Sequence, residues 1–279
     1  MSGWVNAAVV AAALLAADVA IAAPAACPRE GTLGTSRVLS VNPKNHPRVG
    51  LKSFPDTLPL QDGEVVLTFD DGPSPPMTNK VLAALARECV RATFFLVGQP
   101  ASSRAELVQK IAADGHTVGH HSFTHAHLAH VTPEQAVDEI DRGIAADEKA
   151  LNGVETTTPS TPFFRFPYFE STPATLELLQ SRGVAVFGAD LWASDWAAMS
   201  PQGTLKLLIR RLTQARKGII LLHDPQPRTA AMLPAFLRYL KDHGYRVVHI
   251  VPAKSEQPAE PQAEQHSGSP SPAEPHEGG

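Results

Sequence analysis

Short apolar runs alternate with longer amphipathic stretches along the middle of this chain, and that alternation constrains the fold more than any other feature. Residues 65–69, 93–97, 117–120, 163–166, 185–188, 219–222 and 247–251 contain β-branched or aromatic residues, and several are bounded by Gly, Pro or Asp, which predicts strands. Between them, residues 79–91 and 103–114 carry apolar side chains at helical spacing of three and four. A helix over 133–151 is announced by Thr132 as N-cap, Pro133 in the first turn and Gln135 for a capping box. Residues 173–182 follow Thr172 in the same way and stop at Gly183; helices over 201–216 and 229–242 complete the set. Strand and helix in alternation, without an internal repeat, predict a single parallel α/β domain, either a barrel or an open doubly wound sheet. The expected core, about residues 45–252, is near the lower size limit of a barrel.

Polar residues fall at informative places on this frame. Asp70 and Asp71, His121, Arg165, Asp190 and His223 each lie at or just past the C-terminal end of a different predicted strand. Parallel α/β folds build their active sites at that end.

Consecutive carboxylates at a strand end point in different directions, so of Asp70 and Asp71 one can bind a metal while the other faces a water. A plain acidic turn would explain Asp-Asp-Gly-Pro equally well if it stood alone. If the chain turns helically after residue 120, His121 and His125 share a face and can chelate one ion. His116 and His120 are also four apart, so spacing leaves the pair open. Two histidines and a carboxylate suit a metal-activated water, and they suit a non-haem iron oxygenase as well. His223 can supply the proton that a departing amine needs, or cap a loop; Asp190 or Asp195 can hold its imidazole charged. Arg165, a cation within an apolar strand, calls for a carboxylate partner, structural or catalytic.

Composition excludes little. The 279 residues are 43% hydrophobic and 19% charged with a formal net charge of -4, which lacks the basic balance of a nucleic-acid-binding protein. The ends differ from the middle. An Ala/Val/Leu run over residues 4–26 with an A-x-A-like site at Ala20–Ala22 predicts a signal peptide over 1–26, although Asp18 sits within it and no Lys or Arg precedes it. Export to the periplasm or the cell exterior follows, with no stable membrane insertion after cleavage. Residues 253–279, rich in Pro, Glu, Ser and Gly, predict a disordered tail. Cys89 reads as a packed thiol or as the partner of Cys27 in a disulfide.

In order, TFDDGP at 68–73, HSFTH at 121–125, RFPY at 165–168, an Asp…Asp-Trp segment at 190–196 and LLHD at 221–224 resemble the polysaccharide deacetylase family, the fourth carbohydrate esterase family with its NodB homology fold. The resemblance covers about residues 60–252. It implies a deformed (β/α)7 barrel and a divalent ion, zinc or cobalt or another, held by Asp71, His121 and His125. It implies Asp70 as general base, His223 as general acid for the leaving amine, and Arg165 as the residue that orients Asp70. The Tyr168 backbone N–H would stabilise the oxyanion, Leu221 would line the acetyl-methyl pocket, and Trp192 would stack on a sugar or pack at the barrel mouth. An Asp of the fourth segment would support His223. The family separates its Asp from Asp-Trp by two residues; here four intervene, and Asp190 is taken as the supporting residue because it ends a predicted strand.

The expected activity is removal of acetyl groups from an N-acetylated amino-sugar polymer such as peptidoglycan, chitin or an exopolysaccharide. O-deacetylation of acetylxylan is the alternative hydrolase. From other classes come the oxygenase, whose His-x-Asp…His pattern differs from Asp…His-x3-His, and a sugar-binding protein with a dead site. The oligomeric state is left open.

Overall fold

A computed structural model describes residues 29–253. The signal-peptide segment and, apart from Ala253, the acidic tail lie outside the described residues. So does Cys27, the only other cysteine of the chain; Cys89 is disulfide-bonded and is not the packed thiol of the simpler expectation.

The described chain forms strands β1 (Thr35–Val41), β2 (Arg48–Val49), β3 (Glu64–Asp70), β4 (Thr93–Leu96), β5 (Thr117–His120), β6 (Phe163–Phe164), β7 (Ala185–Phe187), β8 (Leu191–Trp192), β9 (Gly218–His223) and β10 (Arg246–Pro252). Helices α1 (Met77–Arg87), α2 (Gly98–Ser102), α3 (Ala105–Ala113), α4 (Pro133–Asn152), α5 (Pro173–Ser181), α6 (Pro201–Ala215) and α7 (Pro227–Asp242) lie between them. Thr132 caps α4 and Thr172 caps α5, each in a reciprocal capping box with Pro in the first turn.

The seven strands β8-β9-β3-β4-β5-β6-β7 form a continuous parallel run, a deformed (β/α)7 barrel. The ring is not closed: among the described residues β7 pairs with β2 rather than β8. Two differences from the sequence expectation follow. β8 joins the ring although its two residues are too short for a pattern, whereas the expected last strand, β10, lies outside it, pairing with the first residues of β3 and carrying β1 on its other edge. The sheet also begins at Thr35, ahead of the expected domain start at residue 45, because β1 runs parallel to β10.

All seven residues of β3 are buried, as expected of a parallel strand covered on both faces. Its side chains alternate: Val65, Leu67 and Phe69 join the layer under the helices, with Phe94, Leu208, Leu233 and Phe236. Val66 points into the barrel with Phe95, Phe163, Phe187 and Ile219, and the same inward row continues as Thr68 and Asp70. Apolar packing thus fills the lower barrel and hands over to polar side chains at the top.

Two histidines in this scaffold make stability pH-dependent. His116 Nδ1 accepts the Ala92 N–H at 3.1 Å. The Thr117 hydroxyl donates to the Ile250 carbonyl at 2.7 Å, so His249 Nε2 donates to Thr117 Oγ1 at 2.9 Å and the buried His249 Nδ1 has no partner. A second proton on either ring has no acceptor. Burial pushes both imidazoles down to about 4 from an ordinary 6.5. Between those values the unfolded chain binds more protons than the folded one, so stability is intact above pH 6.5 and falls as the pH drops toward 4. The loss is expected to be about 3 kcal/mol per histidine at most. Urea midpoints at pH 7 and pH 4.5 check this, and the double variant His116→Asn, His249→Gln should show a much smaller difference between them.

Candidate active site

The parallel register assembles the site. Asp70 pairs with His223 across β3 and β9, Trp192 pairs with Leu221 across β8 and β9, and Leu96 pairs with His120 across β4 and β5. Strand ends therefore meet on one rim, around a cavity of about 460 Å3 lined by Asp70, Asp71, His121, His125, Tyr168, Trp192, Leu221 and His223 among others.

Asp71, His121 and His125 offer ligand atoms within 4.8 Å of one another. Asp71 Oδ1 is 3.4 Å from His121 Nε2 and 3.2 Å from His125 Nε2. The Arg165 carbonyl accepts from His121 Nδ1 at 2.7 Å, so in the neutral ring Nε2 carries a lone pair aimed at a carboxylate. Asp71 Oδ1 is itself buried with no hydrogen-bond partner. These ligand atoms converge on one point, and one carboxylate with two imidazoles suits a divalent transition metal. Burial would raise the Asp71 pKa, but the neighbouring His121 and His125 imidazoles outweigh it and hold the group well below the usual range.

The two histidines do not meet on a helix turn, the condition under which their spacing would place them on one face. Residues 121–127 are irregular, and Ser122 (φ 62°) and His125 (φ 63°) adopt left-handed backbone. The loop is held from outside: Gly98 N–H of α2 donates to the Ser122 carbonyl at 3.0 Å, and Glu139 of α4 accepts from the Thr124 N–H and hydroxyl, both at 2.8 Å. Gly143 lets α4 approach this closely, since a Cβ there would lie 2.5 Å from the Ser122 carbonyl carbon. Asp71 (φ 76°), Tyr168 (φ 56°) and Phe169 (φ 60°) are left-handed too, and such strain gathers where a scaffold over-determines a functional site.

Asp70 is buried beside the triangle and accepts from Arg165 at 2.7 Å. The guanidinium, fully buried, also donates to Thr68 Oγ1 (2.8 Å) and to the carbonyls of Phe187 (3.2 Å) and Gly188 (2.7 Å). It therefore braces Asp70 against β7, and the carboxylate partner that the sequence demanded for Arg165 is Asp70.

His223 faces Asp70 from the next strand. Its Nδ1 lies 2.8 Å from Asp195 Oδ1, and Asp195 Oδ2 accepts the His223 N–H at 2.7 Å and the Thr229 hydroxyl. This corrects the expectation for Asp190, which binds the Leu51 N–H (2.9 Å), the Thr57 hydroxyl (2.8 Å) and the Ile219 N–H (2.7 Å) instead. Asp190 stands before β8, level with the base of β9, where it cannot reach the rim. Asp195 follows β8 and so obeys the strand-end rule once that short strand is recognised. The signal available in the sequence was the adjacent Trp196, whose ring packs edge-on against His223 at 5.4 Å. Burial would lower the His223 pKa, but Asp195, with lesser contributions from Asp71 and Asp70, raises it to about 9.

Asp224 was not singled out in the sequence. Buried beneath Gly72, it accepts the Thr78 hydroxyl and leaves no room for a side chain at 72, where a Cβ would lie 2.2 Å from its Oδ2. Burial, reinforced by Asp71 and Asp70, pushes it up to about 7. Tyr168 and Trp192 both line the cavity: the Tyr168 ring stacks on His127 at 3.8 Å and meets His125 at 4.6 Å, and Trp192 lies against Arg211.

Comparison with known proteins places the chain in a family. The sequence profile of the polysaccharide deacetylase family matches residues 58–187. A chitooligosaccharide deacetylase of Bradyrhizobium is 33% identical over 164 residues, covering 58% of this chain and 71% of the relative. The chain belongs to the polysaccharide deacetylase family. A peptidoglycan-N-acetylglucosamine deacetylase of Listeria monocytogenes is 32% identical over 186 residues, 67% of this chain but only 38% of the relative. The peptidoglycan deacetylase of Bdellovibrio bacteriovorus superposes with a TM-score of 0.70 at 29% identity, covering 81% of this chain and 62% of that one. The chain thus spans well under half the length of the Listeria relative. Among the described residues no helix is long and apolar enough to cross a membrane.

Proposed function

We propose that this member of the deacetylase family hydrolyses the N-acetyl group of an amino-sugar polymer, with peptidoglycan the leading substrate, and that it does so with a divalent metal ion. One observation carries the reading: Asp70 with its Arg165 and His223 with its Asp195 face each other in register beside the Asp71, His121 and His125 triangle. An acid and a base, each held by its own partner beside a cation site, is what amide hydrolysis requires. A divalent ion in the triangle, zinc or cobalt, would supply Lewis acidity toward the water and the acetyl carbonyl.

The residues divide the work. Asp70 takes a proton from the water that adds to the acetyl carbon, and Arg165 keeps its second oxygen occupied so that one lone pair faces the substrate. The Tyr168 N–H donates to the oxygen that gains charge, an interaction worth about 3–4 kcal/mol for one donor. His223 gives its proton to the nitrogen as the C–N bond breaks, leaving acetate and a free amine, and Asp195 keeps the imidazole protonated and oriented. Leu221, on the cavity floor, accommodates the methyl group, and Trp192 forms a wall for the sugar.

Residues 1–26 are read as an export signal and 253–279 as a polar spacer, which agrees with a polymer outside the cytoplasm. The test is acetate release from peptidoglycan strands, N-acetylglucosamine oligomers and acetylxylan, with chelator and after addition of zinc or cobalt. Metal-dependent release from the first two is the expected result. Release from acetylxylan alone would make the enzyme an esterase, and no release with metal bound would overturn the hydrolase reading.

A further inference from the structure

The segment from Gly50 to Asp56 is a compact loop ahead of the family-matched residues 58–187, and it fills the opening between β7 and β8. Gly50 N–H donates to the Asp56 carbonyl at 2.8 Å, and the Ser53 and Phe54 N–H groups return to the Gly50 carbonyl at 3.0 and 2.9 Å. Gly50 (φ 112°) packs on the backbone of Gly188, where a Cβ would come within 2.5 Å of a carbonyl carbon. Asp190 staples the loop to the barrel through the Leu51 N–H, the Thr57 hydroxyl and, on β9, the Ile219 N–H. The Lys52 N–H donates to the Ala189 carbonyl at 2.8 Å.

The loop delivers one side chain to the cavity, Lys52. Its ammonium lies 5.0 Å from the centre of the Trp192 ring, on the wall where a sugar would rest. Among the described residues it has no carboxylate within ion-pair distance, whereas Arg165 is neutralised by Asp70 and the His223 imidazole by Asp195. The cavity rim therefore carries a positive charge without a carboxylate partner beside an aromatic platform, on the loop that these contacts tie across the opening between β7 and β8. A neutral polymer gains only a hydroxyl contact from such a charge. One that bears a carboxylate next to its acetylated sugar gains a charge-assisted contact and faster encounter.

Resting on the deacetylase reading above, we propose that Lys52, seated by Asp190, is a specificity residue that binds a carboxylate carried by the polymer beside the sugar being deacetylated. A carboxylate on the sugar's own ether substituent and one on an attached peptide present the same chemistry. Asp190 is a positioning residue here and acts through the loop.

The experiment compares the full chain with its Lys52→Gln, Lys52→Arg and Asp190→Asn variants on four probes. These are the neutral N-acetylglucosamine tetramer, peptide-free peptidoglycan strands, strands with peptide stems, and strands whose carboxylates have been amidated. For Lys52→Gln, KM on the carboxylate-bearing strands should rise about five- to tenfold with kcat preserved, the size of one partly exposed charged contact. The tetramer and the amidated strands should show a much smaller rise, Lys52→Arg should recover most of the loss, and salt should weaken the wild type more than Lys52→Gln. Asp190→Asn should give the same KM shift if the loop moves. A shift on either strand type supports the subsite and shows which carboxylate it takes. An equal rise on the neutral tetramer would reduce Lys52 to a prop for Trp192, and unchanged KM on both strand types would also overturn the proposal. Equilibrium binding of intact and amidated strands by wild type and Lys52→Gln is measured in parallel. If no probe is deacetylated, the deacetylase reading fails while this binding comparison still decides the subsite.

Discussion

Asp70→Asn is expected to lower kcat about 100- to 10,000-fold, the usual contribution of a positioned general base, while the protein still folds and binds metal. Asn keeps an oxygen that can accept from Arg165 Nη1, and the guanidinium retains its bonds to Thr68, Phe187 and Gly188, so the barrel interior stays satisfied. The ligand triangle is untouched because Asp71, not Asp70, supplies its carboxylate. Three measurements check this: kcat on acetylated oligomers, metal affinity by competition with a chromophoric chelator, and the melting temperature. The complementary change, His121→Ala, should abolish metal binding. An Asp70→Asn enzyme with wild-type kcat would remove Asp70 from the mechanism, and one that had lost the metal would make it a ligand.

Arg165→Met should be the most destabilising single substitution at the site. It removes a fully buried cation and leaves the buried Asp70 charge beside apolar Phe95 without its partner. Breaking a buried pair in this way costs about 3–5 kcal/mol. For a domain of this size that is a fall in Tm of roughly 6–20 °C. Adding Asp70→Leu should restore much of the loss, since a matched apolar pair pays no desolvation penalty. Both variants would be inactive, which makes Tm the informative readout. If Arg165→Met melts with the wild type, the ion pair contributes nothing to the fold and Arg165 serves Asp70 alone.

The difference between these expectations and those available from the sequence lies in particular residues. Thr132 and Thr172 each precede a Pro and face a capping partner three residues on, so the starts of α4 and α5 were legible from local chemistry alone. The 117–120 strand was legible to the residue. β8 was not, because two residues hold no periodicity, and its omission moved the expected support of His223 from Asp195 to Asp190. The helical turn on which the His121/His125 spacing depended is absent because the loop's shape comes from Gly98, Glu139 and Gly143 on other elements. Lys52 carried no signal in the sequence: an exposed lysine in a loop looks like any other until the loop is seen to close the barrel opening.

By itself, the sequence determined which chemical groups stand at the ends of strands, and hence the family, the barrel and the candidate acid, base and ligands. These depend on local alternation and short motifs, which a chain carries in its order. The tertiary structure decided pairings: Asp70 opposite His223, Arg165 on Asp70, Asp195 rather than Asp190 on His223, and Asp190 on the loop that brings Lys52 to the cavity. Such contacts join residues far apart in the chain, and strand register and the incomplete closure between β7 and β8 set them, neither of which is written in the spacing of residues along one element.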